Sequence, residues 1–207
     1  MKIEHAKQNY DKWVHVMRGM DEKSKIKIKA PNQKNLSVIA VLLFSNPDLH
    51  EYINELIDLM DSIISQNNDK FFFVDTSTYL GNLPGQNLVG IAYGMENGAA
   101  LEGDLSNVTY FYNKGIRYIT LTHAKSNHIS DSSYDANKQW GGLSDFGKTL
   151  IPEMNRVGII VDISHVSDPA FMQAIDLSNT PVIASHSSLR HFTPGWERNV
   201  SDEMLIA

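Results

Sequence analysis

The sequence contains no cysteine among its 207 residues, and this absence limits the chemistry available to it. Disulfides and thiolate metal sites are excluded, so a bound metal ion must be held by histidine and carboxylate side chains. The longest wholly apolar run, Val38 to Phe44, is far too short to cross a bilayer as a helix. The start, Met1 to His5, lacks the apolar segment of a signal peptide. This predicts a cytoplasmic location as written, and an exported protein if the true start lies upstream.

Clustered positive charge is also scarce in the sequence. The formal net charge is −6, and the basic stretch from Lys23 to Lys34 is short and contains no aromatic residue. A nucleic-acid partner is therefore not expected. The Gly-rich string from Gly81 to Gly90 has no Walker pattern and no Gly-x-Gly-x-x-Gly fingerprint. With 42% hydrophobic and 20% charged residues, the composition is that of an ordinary globular protein, and residues 1–207 are predicted to form one domain.

Short apolar runs alternate with segments of helical spacing along the chain. The predicted strands are Leu36 to Phe44, Val89 to Met95, Ile116 to Thr122, Ile159 to Ser164 and Pro181 to Ser185. Phe71 to Val74 is apolar but has no clear assignment. The predicted helix starts are Asn46-Pro47, a segment around Leu105, Ser144 and Asp168-Pro169, with Gly115 and Gly158 as ends and a bend at Pro152. This order predicts a parallel sheet with right-handed crossovers.

About five strands can be counted, whereas a closed TIM-type (β/α)₈ barrel needs eight strands and ~250 residues. We therefore predict an α/β fold of the TIM-barrel type that is truncated at its C-terminus.

Two histidines, His165 and His186, each end an apolar run and lie one strand–helix–strand step apart. Imidazoles at the carboxyl ends of neighbouring parallel strands point into one crevice, where α/β enzymes keep their chemistry. Glu96 and His123 also follow predicted strands. A carboxylate with two imidazoles suits Zn²⁺, although a single histidine at a strand end is more often an ordinary hydrogen-bonded residue.

Other polar residues are assigned less specific roles. His128 and His191 lie in polar segments and are interpreted as solvated. Ser164 and Ser185 precede the two histidines directly, which raises the alternative of a serine nucleophile. That alternative is not favoured, because no Gly-x-Ser-x-Gly elbow is present and a catalytic triad joins its groups through space.

Five segments between residues 90 and 207 together resemble the membrane dipeptidase (renal dipeptidase) family of zinc peptidases. They are Gly94-Met95-Glu96-Asn97-Gly98, residues 115–123, residues 142–148, residues 153–168, and residues 181–188 followed by Arg198-Asn199-Val200. The resemblance implies a (β/α)₈ barrel that hydrolyses dipeptides with two zinc ions. It implies that Glu96 bridges both ions, that His165 and His186 bind one of them, and that His123 contacts the substrate or the tetrahedral intermediate. It also implies that Arg198 holds the terminal carboxylate of the substrate.

Two departures from the family pattern bear on activity. The family places a His-x-Asp pair at its first strand, and the nearest match here is His5-Ala6-Lys7, with His15 as a second candidate. An ammonium at Lys7 offers no lone pair and repels a dication, so the N-terminus is predicted to be degenerate, with His5 a tentative ligand and one zinc ion bound rather than two. The catalytic aspartate that the family carries in the C-terminal part of the barrel has no counterpart here.

The resulting prediction is a zinc-dependent metallodipeptidase that acts on a small dipeptide substrate and is impaired in this chain as written. A non-catalytic relic on the same barrel and another metal-dependent barrel amidohydrolase are the alternatives. No transmembrane segment is expected, and a homodimer is left open.

Overall fold

The computed structural model describes the backbone of residues 37–44 and all atoms of residues 50–74 and 88–207. The tentative ligand His5, with Lys7 and His15, lies outside the described residues. So do the basic stretch from Lys23 to Lys34 and the helix start at Asn46-Pro47. The expectations placed on these positions stay predictions.

A five-stranded parallel sheet forms the centre of the described structure. Its strands are β1 (Ser37–Phe44), β2 (Phe71–Phe73), β3 (Val89–Glu96), β4 (Ile116–Thr120) and β5 (Ile160–Asp162). The strand order is β1-β3-β4-β5, and β2 pairs with the first residues of β3. The predicted α/β class with a parallel sheet is confirmed. The described strands form an open sheet, so closure into a barrel stays a prediction.

Helices follow the strands as the sequence pattern indicates. They are α1 (His50–Gln66), α2 (Ser106–Asn113), α3 (Asp145–Val157), α4 (Asp168–Leu177) and α5 (Asp202–Ile206). Ser144 caps α3 by accepting a hydrogen bond from Gly147 N, and the helix ends at Gly158 in the left-handed conformation, with φ 95°. Pro152 lies inside α3, which is continuous from Asp145 to Val157. Ser167 caps α4 in the same way.

The strands differ from the sequence-based expectations at two places. Phe71–Phe73, which had no clear assignment, is a strand that pairs with β3. The predicted strand from Pro181 to Ser185 is wrong: its only strand pairing among the described residues is an isolated parallel bridge between Asp162 and Ile183. The physical reason lies at Ser185, whose N–H donates to the side-chain Oδ1 of Asp162 at 3.0 Å rather than to a neighbouring strand. Pairing therefore stops after Ile183.

The register of three central strands places like residues side by side. Glu96, Thr120 and Asp162 are aligned across β3, β4 and β5, and we call this set the polar row. Met95, Ile119 and Val161 are aligned one residue earlier, and we call this set the apolar row. Because successive residues of a strand point to opposite faces, the two rows lie on opposite faces of the sheet. The apolar row is fully buried in the hydrophobic core.

One face of α1 and one face of the later helices also pack into the hydrophobic core. Ile53, Ile57 and Met60, which recur with helical spacing along α1, are buried. On the sheet face that carries the polar row, a Cβ atom at Gly94 would lie 2.1 Å from the ring of Tyr118. Glycine at this position therefore allows the Tyr118 ring to cross β3 two residues before Glu96.

Candidate metal centre

Glu96 and three histidines meet where the central strands end. Oε1 of Glu96 lies 3.1 Å from Nε2 of His186, 3.3 Å from Nε2 of His165 and 3.5 Å from Nε2 of His123. The two Nε2 atoms of His165 and His186 are 2.7 Å apart. The structure thus brings together these four residues, although Glu96 and His186 lie 90 positions apart in the sequence.

The backbone at His165 is strained. Its φ is 70°, a left-handed conformation that non-glycine residues seldom adopt and that costs about 1–3 kcal/mol. The loop after β4 holds this conformation, because the N–H and the hydroxyl of Ser133 both donate to the carbonyl oxygen of His165, at 2.8 and 2.9 Å. The turn aims the imidazole back towards Glu96. Strain of this kind is concentrated at functional sites.

Arg198 reaches into the same cluster. Nη2 of Arg198 lies 3.1 Å from Nε2 of His165. A guanidinium only donates, so this nitrogen of His165 accepts and presents a lone pair. Nη1 of Arg198 also donates to Ser187 Oγ at 2.7 Å, and Nη2 donates to the carbonyl oxygen of His186 at 2.9 Å. The predicted substrate-binding arginine therefore lies against the candidate ligands.

The other ring nitrogen of His165 is buried without a partner. Nδ1 makes no hydrogen bond to any of the described residues. Since Nε2 accepts from Arg198, the proton of a neutral imidazole must be on Nδ1, and leaving that group unpaired costs about 1–3 kcal/mol. The structure therefore holds His165 in place at the expense of both backbone and hydrogen-bond energy.

The electrostatics of the cluster favour an anionic carboxylate beside neutral imidazoles. Burial raises the pKa of Glu96, but the polar contacts of its carboxylate with His165 and His186 outweigh burial and hold this pKa far below its usual range. Burial lowers the pKa of His165, and the charge of Arg198 lowers it further. Burial also lowers the pKa of His123. Divalent metal ions require these protonation states in their ligands.

The spacing of the donor atoms fits one metal ion. Bonds of ~2.0–2.1 Å at tetrahedral angles place neighbouring donor atoms ~3.3 Å apart. The distances from Glu96 Oε1 to His186 and His165, 3.1 and 3.3 Å, match this value, and the contact of 2.7 Å between the two imidazoles is shorter. The ligand atoms of Glu96, His123 and His165 also lie within 4.8 Å of one another, so a second set of three ligands is geometrically available.

A buried carboxylate beside this cluster was not singled out from the sequence. Asp162 is fully buried at the end of β5 and accepts hydrogen bonds from the hydroxyl groups of Thr120 and Ser185, both at 2.6 Å. It also accepts from the backbone N–H groups of Ser164 and Ser185. A charged residue inside the apolar run from Ile159 to Ile163 was the available signal, since such residues are almost never buried without partners.

A second buried aspartate organises the loop between β4 and α3. Asp131 accepts backbone hydrogen bonds from Gln139, Trp140 and Gly142, at 2.6 to 3.2 Å. Burial raises the pKa of Asp131, and these donors outweigh burial and lower it. The loop that carries Ser133 is thereby fixed against His165. No pattern in the sequence predicted this role, because the donors are backbone groups of residues of ordinary type.

Ion pairs and hydrogen bonds hold the segment that carries Arg198 in position. Glu197 accepts from Lys138 Nζ at 2.6 Å and from the backbone N–H of Asp168 at 3.0 Å. Arg190 forms a bidentate ion pair with Asp168, at 2.6 and 2.7 Å. Such paired contacts fix geometry as well as adding energy. The position of Arg198 is therefore set by its neighbours in sequence and by the loop after β4.

The interpretation of His128 as a solvated residue is wrong. Its Nε2 accepts a hydrogen bond from the N–H of Gly103 at 3.1 Å, its ring contacts Phe146, and burial lowers its pKa. The sequence around His128 is polar, but the ring packs beside Phe146 of α3 and is only partly exposed. His191 is exposed, as expected.

A parallel α/β sheet with a carboxylate and imidazoles at the carboxyl ends of its strands is the arrangement of an α/β metalloprotein. The chain belongs to the membrane dipeptidase family, peptidase family M19, whose sequence profile matches residues 12–207. The proteins of this family are metallopeptidases. The match extends well beyond residues 90–207, where the sequence resemblance lay, and it confirms the predicted family.

Individual relatives agree with this assignment. Dipeptidase tcpJ of Claviceps purpurea is 36% identical over 149 residues, which are 72% of this chain and 35% of that protein. The structure is similar to an amidohydrolase from Pseudomonas aeruginosa, with 28% identity and a TM-score of 0.73, over 81% of this chain and 50% of that one. The probable dipeptidase PvdM from Pseudomonas aeruginosa has 25% identity and a TM-score of 0.69, over 75% and 40%.

The chain spans about a third of the length of the curated relative and about half of the solved amidohydrolase. None of the helices in the described part of the chain is long and apolar enough to cross a membrane.

Proposed function

We propose that this chain is part of a zinc-dependent dipeptidase that hydrolyses the peptide bond of a dipeptide. The observation that carries the proposal is the convergence of Glu96 Oε1 with Nε2 of His165 and His186, at 3.3 Å or less. A carboxylate and two imidazoles are ligands that zinc prefers in hydrolytic sites. Membership of the dipeptidase family supports the same reaction.

In this proposal Glu96, His165 and His186 would hold one zinc ion, and His5 stays a tentative ligand of a second. A bound zinc ion supplies hydroxide at neutral pH and polarises the carbonyl group that is attacked. The neutral state of His165 and the anionic state of Glu96 make both groups ready to bind a cation without first losing a proton.

Two further residues act on the substrate. His123 is 30% exposed and lies beside Glu96, so its imidazole can donate a hydrogen bond to the oxygen that becomes negative during hydrolysis. The guanidinium of Arg198 pairs with the terminal carboxylate of a dipeptide, for which its planar fork is well shaped. Because Arg198 contacts His165 Nε2 in this structure, it exchanges that contact for the substrate when the imidazole binds metal.

The experiment measures zinc content and dipeptide hydrolysis for the wild-type chain, for Glu96→Gln and for Glu55→Gln. Glu55 is an exposed residue of α1 and serves as the matched control. We expect the wild type and Glu55→Gln to bind zinc equally and Glu96→Gln to lose it. Equal zinc binding by all three proteins would contradict the proposed site.

A second candidate is another metal-dependent amidohydrolase, which the similarity to the Pseudomonas aeruginosa amidohydrolase favours. A panel of dipeptides, cyclic amides and lactones, offered to the zinc-loaded protein, separates the two. Preference for dipeptides supports the proposal, and preference for a cyclic substrate supports the alternative. Zinc binding with no turnover of any member would identify the chain as a non-catalytic relic of the fold.

A further inference from the structure

Three polar side chains form a continuous path from the polar row to the candidate metal centre. Oδ2 of Asp162 lies 2.6 Å from Oγ of Ser185, and the same Oγ lies 2.7 Å from Nδ1 of His186. On the far side of that imidazole, Nε2 faces Glu96 and His165. The path therefore connects a buried carboxylate to the back of a candidate metal ligand.

The donor and acceptor roles along this path follow from the chemistry of its groups. An ionised carboxylate only accepts hydrogen bonds, so the single proton of the Ser185 hydroxyl is directed to Asp162. Oγ of Ser185 then offers a lone pair to His186, and Nδ1 must be the donor. A neutral imidazole that carries its proton on Nδ1 has a lone pair on Nε2.

We propose that Asp162 and Ser185 are positioning residues, which fix the tautomer and orientation of His186 so that its Nε2 lone pair points into the metal centre. The inference rests on the proposed function, since it assigns His186 as a ligand. Metal-binding histidines usually donate their second ring N–H to a carboxylate or another acceptor, and here a serine is inserted between the two groups.

The position of Asp162 explains why a serine is needed. Its two oxygens already accept from Thr120 and from the backbone N–H groups of Ser164 and Ser185, and the residue is fully buried at the end of β5. The carboxylate is thus held rigidly but does not reach the imidazole itself. Ser164 adds a second restraint, because its Oγ accepts from the backbone N–H of His186 at 3.2 Å.

The same geometry argues against Ser185 as a nucleophile. In a catalytic triad the acid contacts the histidine, and the histidine contacts the serine. Here the acid contacts the serine, so the hydroxyl proton is directed away from the imidazole and the histidine cannot act as its base.

The test uses the tautomer of His186 as a readout that does not require metal. Two-bond ¹H–¹⁵N correlation spectra of the metal-free chain report which ring nitrogen is protonated. Because Glu96 and His165 also compete for the ring proton at Nε2, we expect a larger share of the Nδ1–H form in the wild type and in Ser185→Thr than in Ser185→Ala. In Asp162→Asn the side-chain amide donates to Oγ of Ser185. The hydroxyl proton of Ser185 is then directed to Nδ1 of His186, so we expect the Nε2–H form of His186.

Zinc affinity, measured by competition with a chromophoric chelator, provides the second readout. Loss of a supporting hydrogen bond to a metal ligand weakens binding by about 10- to 100-fold, which we expect for Ser185→Ala. Ser185→Thr should bind as the wild type does. The control is Ser188→Ala, an exposed serine on the same segment whose hydroxyl makes no hydrogen bond to the described residues.

The outcomes separate the inference from the proposed function. A wild-type chain that binds zinc, with unchanged affinity and tautomer in Ser185→Ala, overturns the inference and leaves the function standing. A wild-type chain that binds no zinc overturns the function, while the tautomer shift alone would still support the positioning role. An Nδ1–H form in Asp162→Asn would also contradict the inference.

Discussion

The polar and apolar rows lie one residue apart on the same three strands, and they are used in opposite ways. Met95, Ile119 and Val161 are buried among apolar neighbours, where shape and volume decide the energy. In the polar row, Thr120 and Asp162 are satisfied by hydrogen bonds, whereas Glu96 faces imidazole nitrogens that carry lone pairs. The apolar row stabilises the sheet, whereas the polar row brings acceptor groups together at a cost in stability.

The cost of that arrangement is visible around His165. The left-handed backbone and the unpaired Nδ1 are both unfavourable, and neither is found in the apolar row. Natural proteins retain such local violations where function requires them. The comparison therefore predicts that changes in the polar row affect metal binding and catalysis, and that changes in the apolar row affect folding.

The largest expected effect is that of Glu96→Gln, which tests the polar row. Removing one partner of a buried charged contact costs about 2–5 kcal/mol, so zinc affinity should fall ~30-fold or more, and dipeptide turnover with it. The free energy of unfolding of the metal-free protein should change little, because an amide can still donate to the imidazoles. Urea denaturation beside a zinc titration checks both. A large loss of stability with unchanged zinc binding would reverse the roles of the two rows.

The complementary change is Ile119→Ala in the apolar row, where a fully buried side chain is shortened. The expected loss is about 2–5 kcal/mol in the free energy of unfolding, from lost burial and the cavity left behind. Zinc affinity of the folded fraction should remain as in the wild type. The matched control is Met172→Ala, since Met172 is 39% exposed on α4. Equal destabilisation by the two substitutions would show that the row is not part of the core.

The sequence predicted the order of strands β3, β4 and β5 correctly, but not what surrounds the residues that follow them. Glu96, His165 and His186 were singled out because each ends an apolar run, and that signal is local. Asp162 lies inside such a run, and its value depends on Thr120 and Ser185, which only the register of the sheet brings to it. The segment from Pro181 to Ser185 was predicted as a full strand from its strand propensity. Propensity gives no indication that the side chain of Asp162 accepts the hydrogen bond of the Ser185 backbone N–H.

The substrate side of the polar row is tested by Arg198→Ala. Losing a charge-assisted hydrogen bond to a carboxylate costs about 1.5–3 kcal/mol, so KM for free dipeptides should rise ~10- to 100-fold. C-terminally amidated dipeptides lack the carboxylate and should be affected little. Steady-state kinetics in a full-length active homologue give both values. A rise in KM that is equal for free and amidated substrates would contradict the carboxylate role.

The smallest expected effect concerns His128, which lies outside both rows and tests whether pH sensitivity is confined to the metal centre. Burial lowers the pKa of His128 in the folded state, so the folded chain prefers the neutral ring. Its Nε2 accepts from Gly103, and protonation would remove that acceptor. The unfolded chain then binds more protons than the folded one as the pH falls through the unfolded value of ~6.5. Stability contributed by His128 is therefore present above that pH and is lost below it.

Replacement by glutamine removes this titration while keeping a polar side chain. The free energy of unfolding of His128→Gln should depend less on pH between about 5 and 8 than that of the wild type, as measured by urea denaturation at each pH. His191→Gln, at an exposed histidine, should keep the wild-type slope. The same slope in all three proteins would mean that burial of His128 does not couple to folding.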